Sequence, residues 1–537
     1  MTARIVVFSG DLSFAVRKGI VEIDRRLRAV EWLLVLSSPP RTLGRLTRSQ
    51  WINLRRHGWR WLLYQGGEIV RIVIRSEQAE TAETASLPAA KPPGFDYSRE
   101  QLLAKPNVKC FIAADMHSAE TLQRVRDFAP DLGLALAAPL LKPELFELPR
   151  LGTLNLHKGR VPDYRGMPPA FWELWNDETS IGCTVHRVSA RLDQGDVVEQ
   201  TSVPRLRYST VKGLQLTLDE VGIELTCQAV QSVLAGDATP EPQPSGGTTY
   251  RKPKLQQVAE LRRRLEEQLP DSGRGLLRNL VKTGFLLYKL YVERPWLASV
   301  SKKPAVTVIL YHRVSDELRD SLTTGIEQFD RQMAMIRDYC HPVSIVDVVH
   351  NRLPRNPSRP LVCVTFDDGY RDNYTAAVPL LLRHGVPAAF FVSTGFIGTK
   401  REFPHDAGKV PKPLDKMTWD DLRAMNDLGF VIGSHTANHI DCAREPEDTV
   451  RRELEESLAI LRRELGAQDV ILAYPFGGKA NMTAERLKLV KRKGYAGCLS
   501  AYGGFNRGSV DRYNVLRCGV NWSFSDLAFR CRIAGVR

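Results

Sequence analysis

"VTFDDGYRDNY" (residues 364–374) ends an uncharged run, Leu361-Val362-Cys363-Val364, with two neighbouring carboxylates, Asp367 and Asp368. An apolar run of this length closed by Asp-Asp-Gly reads as a buried strand and the turn that leaves it. Two like charges at that point fit an ordinary polar turn, because Asp and Gly are common there, or a metal ligand beside a catalytic base. The choice depends on partners elsewhere. Similar runs occur in "AVTVILYH" (305–312), "PAAFFV" (387–392), "FVIGSH" (430–435) and "VILAYPF" (470–476), alternating with helical patterns. That alternation predicts α/β architecture built from parallel βαβ units.

The partners come in "GSHTANH" (433–439). His435 and His439 are four apart, so one helical turn would bring both imidazoles to one side, where they can grip a single ion. With a carboxylate they make a two-His, one-Asp facial set that leaves positions open for water and substrate. HxxxH alone is a weak pattern. The conjunction is stronger: Asp-Asp at one strand end, HxxxH at another and "AYPFGG" (473–478) at a third, as in barrels whose sites gather at the C-terminal strand ends.

The N-terminal half shows the same alternation, with strand-like runs at 4–8, 32–36, 110–113 and 133–137 and a helical pattern in "SAETLQRVRDFA" (118–129). "LGTLNLHKGRVPDYRGMPP" (151–169) puts Asn155 and His157 two apart on one strand face, and "RLDQGD" (191–196) adds Asp193 in a glycine-containing loop. An Asn to hold a carbonyl oxygen, a His to move a proton and an Asp to orient it suit acyl transfer to an amine. An incidental His in a turn-rich surface is the plainer reading of Asn-x-His by itself.

The 537 residues, 43% hydrophobic and 25% charged, suffice for two or three domains. "AGDATPEPQPSGGTTY" (235–250) reads as a boundary between the halves, since its Pro, Gly, Ser and Thr cannot build a packed core. Residues 251–303 follow as a basic linker, with 13 Lys/Arg against 5 Asp/Glu within a chain of net charge +14. In it, residues 275–297 form a basic amphipathic pattern, either a linker helix packed on a neighbouring domain or a membrane-surface contact. No nucleic-acid recognition motif accompanies the charge. Residues 404–416, rich in Pro and Lys, read as a surface insertion. The nine scattered cysteines lack a CxxC pair and argue against a zinc knuckle or a disulfide framework. The start has too short an apolar run for a signal peptide, and no segment is long and apolar enough to span a bilayer, so a cytoplasmic protein is expected, peripheral on the inner membrane face if residues 275–297 touch lipid.

Over about residues 304–525, "ILYHRVSD", "VTFDDGYRDNY", "MTWDDLRAMNDLGF" and "GSHTANH" occur in the order of the polysaccharide deacetylase family, which the chain resembles there. The resemblance implies a distorted (β/α) barrel that hydrolyses N-acetyl groups with a divalent metal. It makes Asp367 the catalytic base, and Asp368, His435 and His439 the ligands of zinc or a similar ion. The backbone N–H of Phe476 would help hold the oxyanion. Two departures stand out: Ala473 opens the third motif where many members have an Arg that orients the base, and no His follows His439 to serve as the late general acid. His312, as in a branch with that residue on the N-terminal side, would replace it; a structural hydrogen-bonding role is its alternative.

Over about residues 1–250 the chain resembles folate-dependent formyltransferases, with a Rossmann-like fold and a triad at Asn155, His157 and Asp193. The resemblance implies 10-formyltetrahydrofolate as donor and backbone contact to the pterin at Leu140 and Leu141 of "APLLKPEL". The usual H-x-S-x-L-P is "HKGRVP" here, so Gly159 stands where the family has a hydroxyl. The tRNA-gripping domain of methionyl-tRNA formyltransferases has no counterpart before the barrel, which disfavours tRNA and leaves an amino sugar, nucleotide- or lipid-linked, as substrate of both halves. The domains are expected at 1–250, 251–303 and 304–537. Three functions stay open: N-deacetylation followed by N-formylation, a formyltransferase/deformylase pair, or a formyltransferase fused to an inactive glycan-binding barrel.

Overall fold

The computed structural model describes residues 2–27, 29–37, 98–267, 305–354, 357–410 and 413–535. The basic stretch 275–297 lies outside the described residues. The chain divides into two compact units, one of Met1–Pro92, Glu100–Pro204 and Val221–Gln268, the other of Pro93–Arg99, Arg205–Glu220 and Leu269–Arg537. Among the described residues no helix is long and apolar enough to cross a membrane.

In the first unit, β1 (Ala3–Ser9), β2 (Val30–Ser37), β3 (Val108–Ala113), β4 (Leu132–Ala135) and β5 (Thr153–His157) form a parallel sheet in the order β3-β2-β1-β4-β5. This is the Rossmann-like order, with the reversal between β1 and β4. Ile5, Val6, Val7 and Phe8 are fully buried, as a strand covered on both faces requires. Helix Ala119–Phe128 starts at Ser118, whose side chain accepts from the Thr121 N–H and so satisfies an end group of the helix. The parallel pattern stops at β5. β6 (Tyr164–Gly166) leaves the sheet, while β7 (Ser180–Arg187) and β8 (Val197–Pro204) extend it as antiparallel strands.

The stretch 235–250 departs from its reading as an unpacked boundary. β9 (Thr248–Tyr250) pairs with β6, Glu241 bridges Val197, and Gln243 donates to the carbonyls of Asp193 and Gly195 at 2.9 and 2.8 Å. Backbone and side-chain hydrogen bonds, rather than apolar burial, attach it to the fold, which composition alone does not report. Helix Leu255–Glu267 follows and buries Leu261.

In the second unit the strands are β10 (Ala305–Tyr311), β11 (Arg313–Val314), β12 (Thr323–Thr324), β13 (His341–Pro342), β14 (Leu361–Phe366), β15 (Ala388–Val392), β16 (Val431–Ser434), β17 (Ile471–Ala473), β18 (Gly497–Leu499), β19 (Asn506–Arg507) and β20 (Arg517–Gly519). The main sheet runs β18-β17-β16-β15-β14-β10, parallel throughout, with β13 also on β14 and β19 and β20 on β10. It curls into a half-barrel whose two edges approach one segment: Val515 bridges Leu499 of β18, and β20 pairs with β10. All six residues of β14 are buried. Beneath its end, Phe366 stacks on Phe390 at 4.6 Å and on Tyr311 at 5.4 Å, an aromatic floor that holds neighbouring strand ends rigidly together.

Candidate active sites

The Asp-Asp turn is shaped by two successive left-handed residues, Asp368 at φ 76° and Gly369 at φ 95°. Asp tolerates this conformation, and Gly369 has no alternative, because a Cβ there would lie 3.0 Å from Ile397 and 3.2 Å from Val392. The turn separates the two carboxylates into different surroundings. Asp367 accepts two hydrogen bonds from Arg517 of β20, Nη1 to Oδ1 at 2.7 Å and Nη2 to Oδ2 at 2.8 Å, and the Arg517 Nε donates to the Ser500 carbonyl at 2.8 Å. Burial alone would raise the Asp367 carboxyl, but the guanidinium, with His435 and His312, holds it below the usual carboxylate range. Arg517 is fully buried and lies 150 residues along the chain from the aspartate it holds.

Asp368 faces the histidines. Its Oδ1 lies 3.5 Å from His435 Nε2 and 3.3 Å from His439 Nε2. The ligand atoms of Asp368, His435 and His439 all lie within 4.8 Å of one another, and all three residues are buried. The His435 Nδ1–H donates to the Ala473 carbonyl at 2.6 Å, which leaves the Nε2 lone pair directed at Asp368. Burial drives His435 down to about 4, so the imidazole is neutral at ordinary pH. Burial opposes ionisation of Asp368 as well, yet His439, His312 and His435 hold its carboxyl far below the usual range. Neither Asp368 oxygen has a hydrogen-bond partner among the described residues. A buried carboxylate and an imidazole lone pair facing one another without a donor are the chemistry of a cation site, so the residues fit a divalent ion. The expected helical turn for HxxxH does not form: residues 436–438 are a turn with Thr436 at φ 62° and His439 at φ 58°, which still brings the rings to 5.0 Å.

His312 follows β10 directly, is partly exposed, and lies close enough to lower both aspartates electrostatically; its own carbonyl accepts from Asn373 at 2.8 Å. Phe476 is left-handed at φ 63° and 58% exposed, with its ring 5.2 Å from that of His439. Residues 404–416 are not only surface. Asp406 and Lys416 are buried, and His405 Nε2 lies 3.6 Å from Asp368 Oδ2.

In the first unit, Asn155 and His157 on β5 meet Asp193 from the β7–β8 connection. His157 Nδ1 is 3.4 Å from Asp193 Oδ2, and its Nε2–H donates to the Tyr164 carbonyl at 2.7 Å. Asp193 also accepts from the Gly166 N–H at 2.9 Å. His186 of β7 joins them: its Nδ1–H donates to the Arg187 carbonyl at 2.8 Å, so its Nε2 accepts from Asn155 Nδ2 at 3.1 Å. Burial pushes His157 below its ordinary value against the pull of Asp193. Asp193, which burial alone would raise, is held low by His186, His157 and the Gly166 N–H. Gly159 makes the His157 position possible, since a Cβ there would lie 2.4 Å from the Tyr164 carbonyl oxygen and 2.6 Å from His157 Nε2. Leu141 is buried, and Leu140 is 73% exposed in the segment before helix Pro143–Phe146.

A family model described as formyl transferase matches residues 53–230, and one described as polysaccharide deacetylase matches residues 355–497. The chain joins a formyl transferase domain to a polysaccharide deacetylase domain. The formyl transferase domain is similar to methionyl-tRNA formyltransferase of Macrococcus caseolyticus, 32% identical over 168 residues, 29% of this chain and 54% of that protein. The chain spans about half the length of the first curated relatives it matches. Among solved structures, it is similar to deacetylase PplD of Streptococcus pyogenes, with 20% identity, 43% of this chain and 99% of that one covered, and a TM-score of 0.36. A sugar N-formyltransferase from a Shewanella species matches at 11% identity, with 48% and 86% covered and a TM-score of 0.31. Domains of both kinds are typically enzymes, the formyl transferases using formyltetrahydrofolate and the deacetylases a divalent metal.

The sequence left three side chains of these domains unassigned. Arg517 makes the contact to Asp367 that the resemblance leads one to expect from an Arg where Ala473 stands, yet a lone Arg far from the motif carries no local signal. His405 was hidden in a Pro- and Lys-rich run. His186 of the formyl transferase domain stood inside "GCTVHRVSARLDQGD" (182–196), where its place on β7, antiparallel to β5 and paired with Asn155, was the missing piece.

Proposed function

We propose that the chain is a bifunctional enzyme that removes the N-acetyl group of a nucleotide- or lipid-linked amino sugar and formylates the amine from 10-formyltetrahydrofolate. The observation that carries this reading is the division of labour in the Asp-Asp turn: Asp367 clamped by Arg517, and Asp368 left without a donor beside His435 and His439. A glycan-binding module gains nothing from a salt-bridged base beside a cation site. That favours catalysis over the inactive barrel.

A divalent ion, zinc by preference, held by Asp368, His435 and His439 supplies Lewis acidity toward water and the amide carbonyl. Asp367 takes the proton of the attacking water, kept ionised and aimed by Arg517. The Phe476 backbone N–H stabilises the oxygen on which charge develops. His312 gives a proton to the departing amine. In the formyl transferase domain, Asn155 holds the formyl oxygen with its amide, oriented by His186. His157 acts in its other tautomer, with Nδ1–H donating to Asp193 and Nε2 released from the Tyr164 carbonyl: Nε2 takes the amine proton, Asp193 stabilises the imidazolium, and the proton passes to the folate nitrogen as its bond to the formyl carbon breaks. Leu192 and Met167, exposed and next in sequence to Asp193 and Gly166, and exposed Leu140 supply apolar side chains suited to a flat pterin, whose ring the backbone at Leu140 and Leu141 would contact. The folate donor is intracellular, which supports a cytoplasmic site of action.

The test supplies purified protein with 10-formyltetrahydrofolate and a panel of amino-sugar nucleotides, following tetrahydrofolate and acetate release separately. His157→Ala abolishes the first and Asp367→Asn the second, each leaving the other intact. Formylation of initiator methionyl-tRNA, or an acetyl group untouched by metal-loaded protein across the panel, contradicts the proposal.

A further inference from the structure

We propose that Glu453 is a positioning residue of the deacetylase domain, holding the turn between His435 and His439 in the shape that directs both imidazoles toward one ion. This rests on the cation-site reading above and adds a residue to it. The backbone of that turn is not one its residues favour. Thr436 and His439 are both left-handed, at φ 62° and 58°, and a β-branched residue such as Thr436 is a rare occupant of that region. A conformation of this kind persists where its surroundings over-determine it. Part of the hold comes from the loop after β15, where the Thr394 and Gly395 N–H groups donate to the carbonyls of Thr436 and Ala437 at 3.2 and 2.8 Å. Those two contacts end at Ala437.

The rest of the turn is held from helix Glu447–Leu465. Glu453, 8% exposed, accepts at both oxygens from one residue, Asn438: the backbone N–H reaches Oε2 at 2.7 Å, and the side-chain Nδ2–H reaches Oε1 at 2.8 Å. The other end of that amide, Oδ1, accepts from Arg401 Nη1 at 2.8 Å, and the same Nη1 donates to the Gly395 carbonyl at 3.0 Å. Asn438 is thus fixed in backbone and side chain, and its amide cannot flip without setting donor against donor. One turn along the helix from Glu453, the Ser457 hydroxyl lies 2.8 Å from that of Ser434. Ser434 directly precedes His435, and Asn438 directly precedes His439. Two helix residues four apart, on one face, therefore meet the chain at two points four apart, each one residue before a ligand histidine. Ser434 is also held by the pairing of β16 with β15, whereas His439 lies outside any strand and its direction depends on Glu453. Residues that orient metal ligands typically change metal affinity by about 10- to 100-fold when removed.

The experiment uses the full chain, stripped of metal and titrated with Zn²⁺ against a chromophoric chelator, and with Co²⁺ while recording its visible bands. Glu453→Gln keeps the size and shape of the side chain but sets an amide N–H against a donor of Asn438, a change that a role in packing alone would tolerate. Asn438→Asp sets a carboxylate against a carboxylate. Together they restore the pattern, because the introduced amide accepts the backbone N–H at position 438 and donates to the introduced carboxylate. The expected result is Zn²⁺ affinity weakened about 10- to 100-fold and shifted Co²⁺ bands in each single variant, with both recovered in the double variant. Melting curves identify any single variant that fails to fold. The double variant against Asn438→Ala then decides, the latter keeping the backbone N–H contact and showing an intermediate loss. Wild-type affinity and bands in Glu453→Gln and Asn438→Ala, with binding lost in Asp368→Asn, overturn the role of Glu453 alone, as do single-variant losses that the double variant does not recover. Absence of Zn²⁺ binding by the wild-type protein overturns the cation site and this role together.

Discussion

Arg517→Met is the most informative perturbation of the deacetylase domain. Both partners of the Arg517–Asp367 pair are almost wholly buried, the side chains 0% and 4% exposed. Removing one member of such a pair leaves an uncompensated charge and costs about 3–5 kcal/mol. The loss depends on pH with a definite sign. In the wild type Asp367 is held below its unfolded value, so the pair stabilises above the ordinary carboxylate range and ceases to do so as pH falls through the depressed folded value. Without the guanidinium, burial dominates and raises Asp367, so protonation in the folded state relieves part of the penalty. The deficit of Arg517→Met is therefore largest at neutral pH and shrinks toward the acid range. Denaturant unfolding of metal-free protein, following the transition of this domain, measures it. Acetate release from metal-loaded protein falls about 10²- to 10⁴-fold, the usual contribution of a positioned base, while formyl transfer is unchanged. Unaltered deacetylation, or a stability deficit that does not vary with pH, refutes the role given to Arg517.

Gly159→Ala puts a Cβ against the Tyr164 carbonyl and His157 Nε2, so formyl transfer falls at least tenfold with about 1–3 kcal/mol of destabilisation, and acetate release stays at the wild-type rate. Because burial lowers His157, the acid limb of kcat/KM for formyl transfer lies below the ordinary histidine value of 6.5; a limb at or above it contradicts the assignment of His157 as base. Gln243→Ala releases the carbonyls of Asp193 and Gly195 and lowers kcat for formylation by about 5- to 10-fold, read in the same tetrahydrofolate assay, with no change in deacetylation.

What the sequence made legible was chemistry concentrated in short runs. Asp367, Asp368, His435 and His439 sit in two short motifs at the ends of apolar strands, and Asn155 and His157 share one face of β5, so spacing drew attention to them and the resemblance to two known families supplied their roles. That β1 to β5 run parallel followed from the alternation of runs; their order in the sheet did not. The antiparallel β7 and β8 did not, because nothing in their composition distinguishes them from further parallel strands. HxxxH suggested a helical turn, but left-handed Thr436 and His439 achieve the same convergence without one. The supporting residues were invisible for a common reason. Arg517, His186 and Gln243 act through tertiary hydrogen bonds across the sheet curl or between loops, and a lone Arg, His or Gln carries no local pattern that records such a partner.

If one chain carries both a deacetylating and a formylating centre for one amino sugar, the two reactions run in sequence in a single vessel. The most direct test incubates the purified protein with a divalent metal, 10-formyltetrahydrofolate and an N-acetylated amino-sugar nucleotide carrying a labelled acetyl group, and resolves the sugar products by mass over time. The expected course is loss of the labelled acetyl, transient free amine, then gain of formyl, with the amine accumulating in His157→Ala and the starting compound persisting in Asp367→Asn. A sugar that keeps its labelled acetyl while an added formyl group is later hydrolysed at the barrel would contradict it.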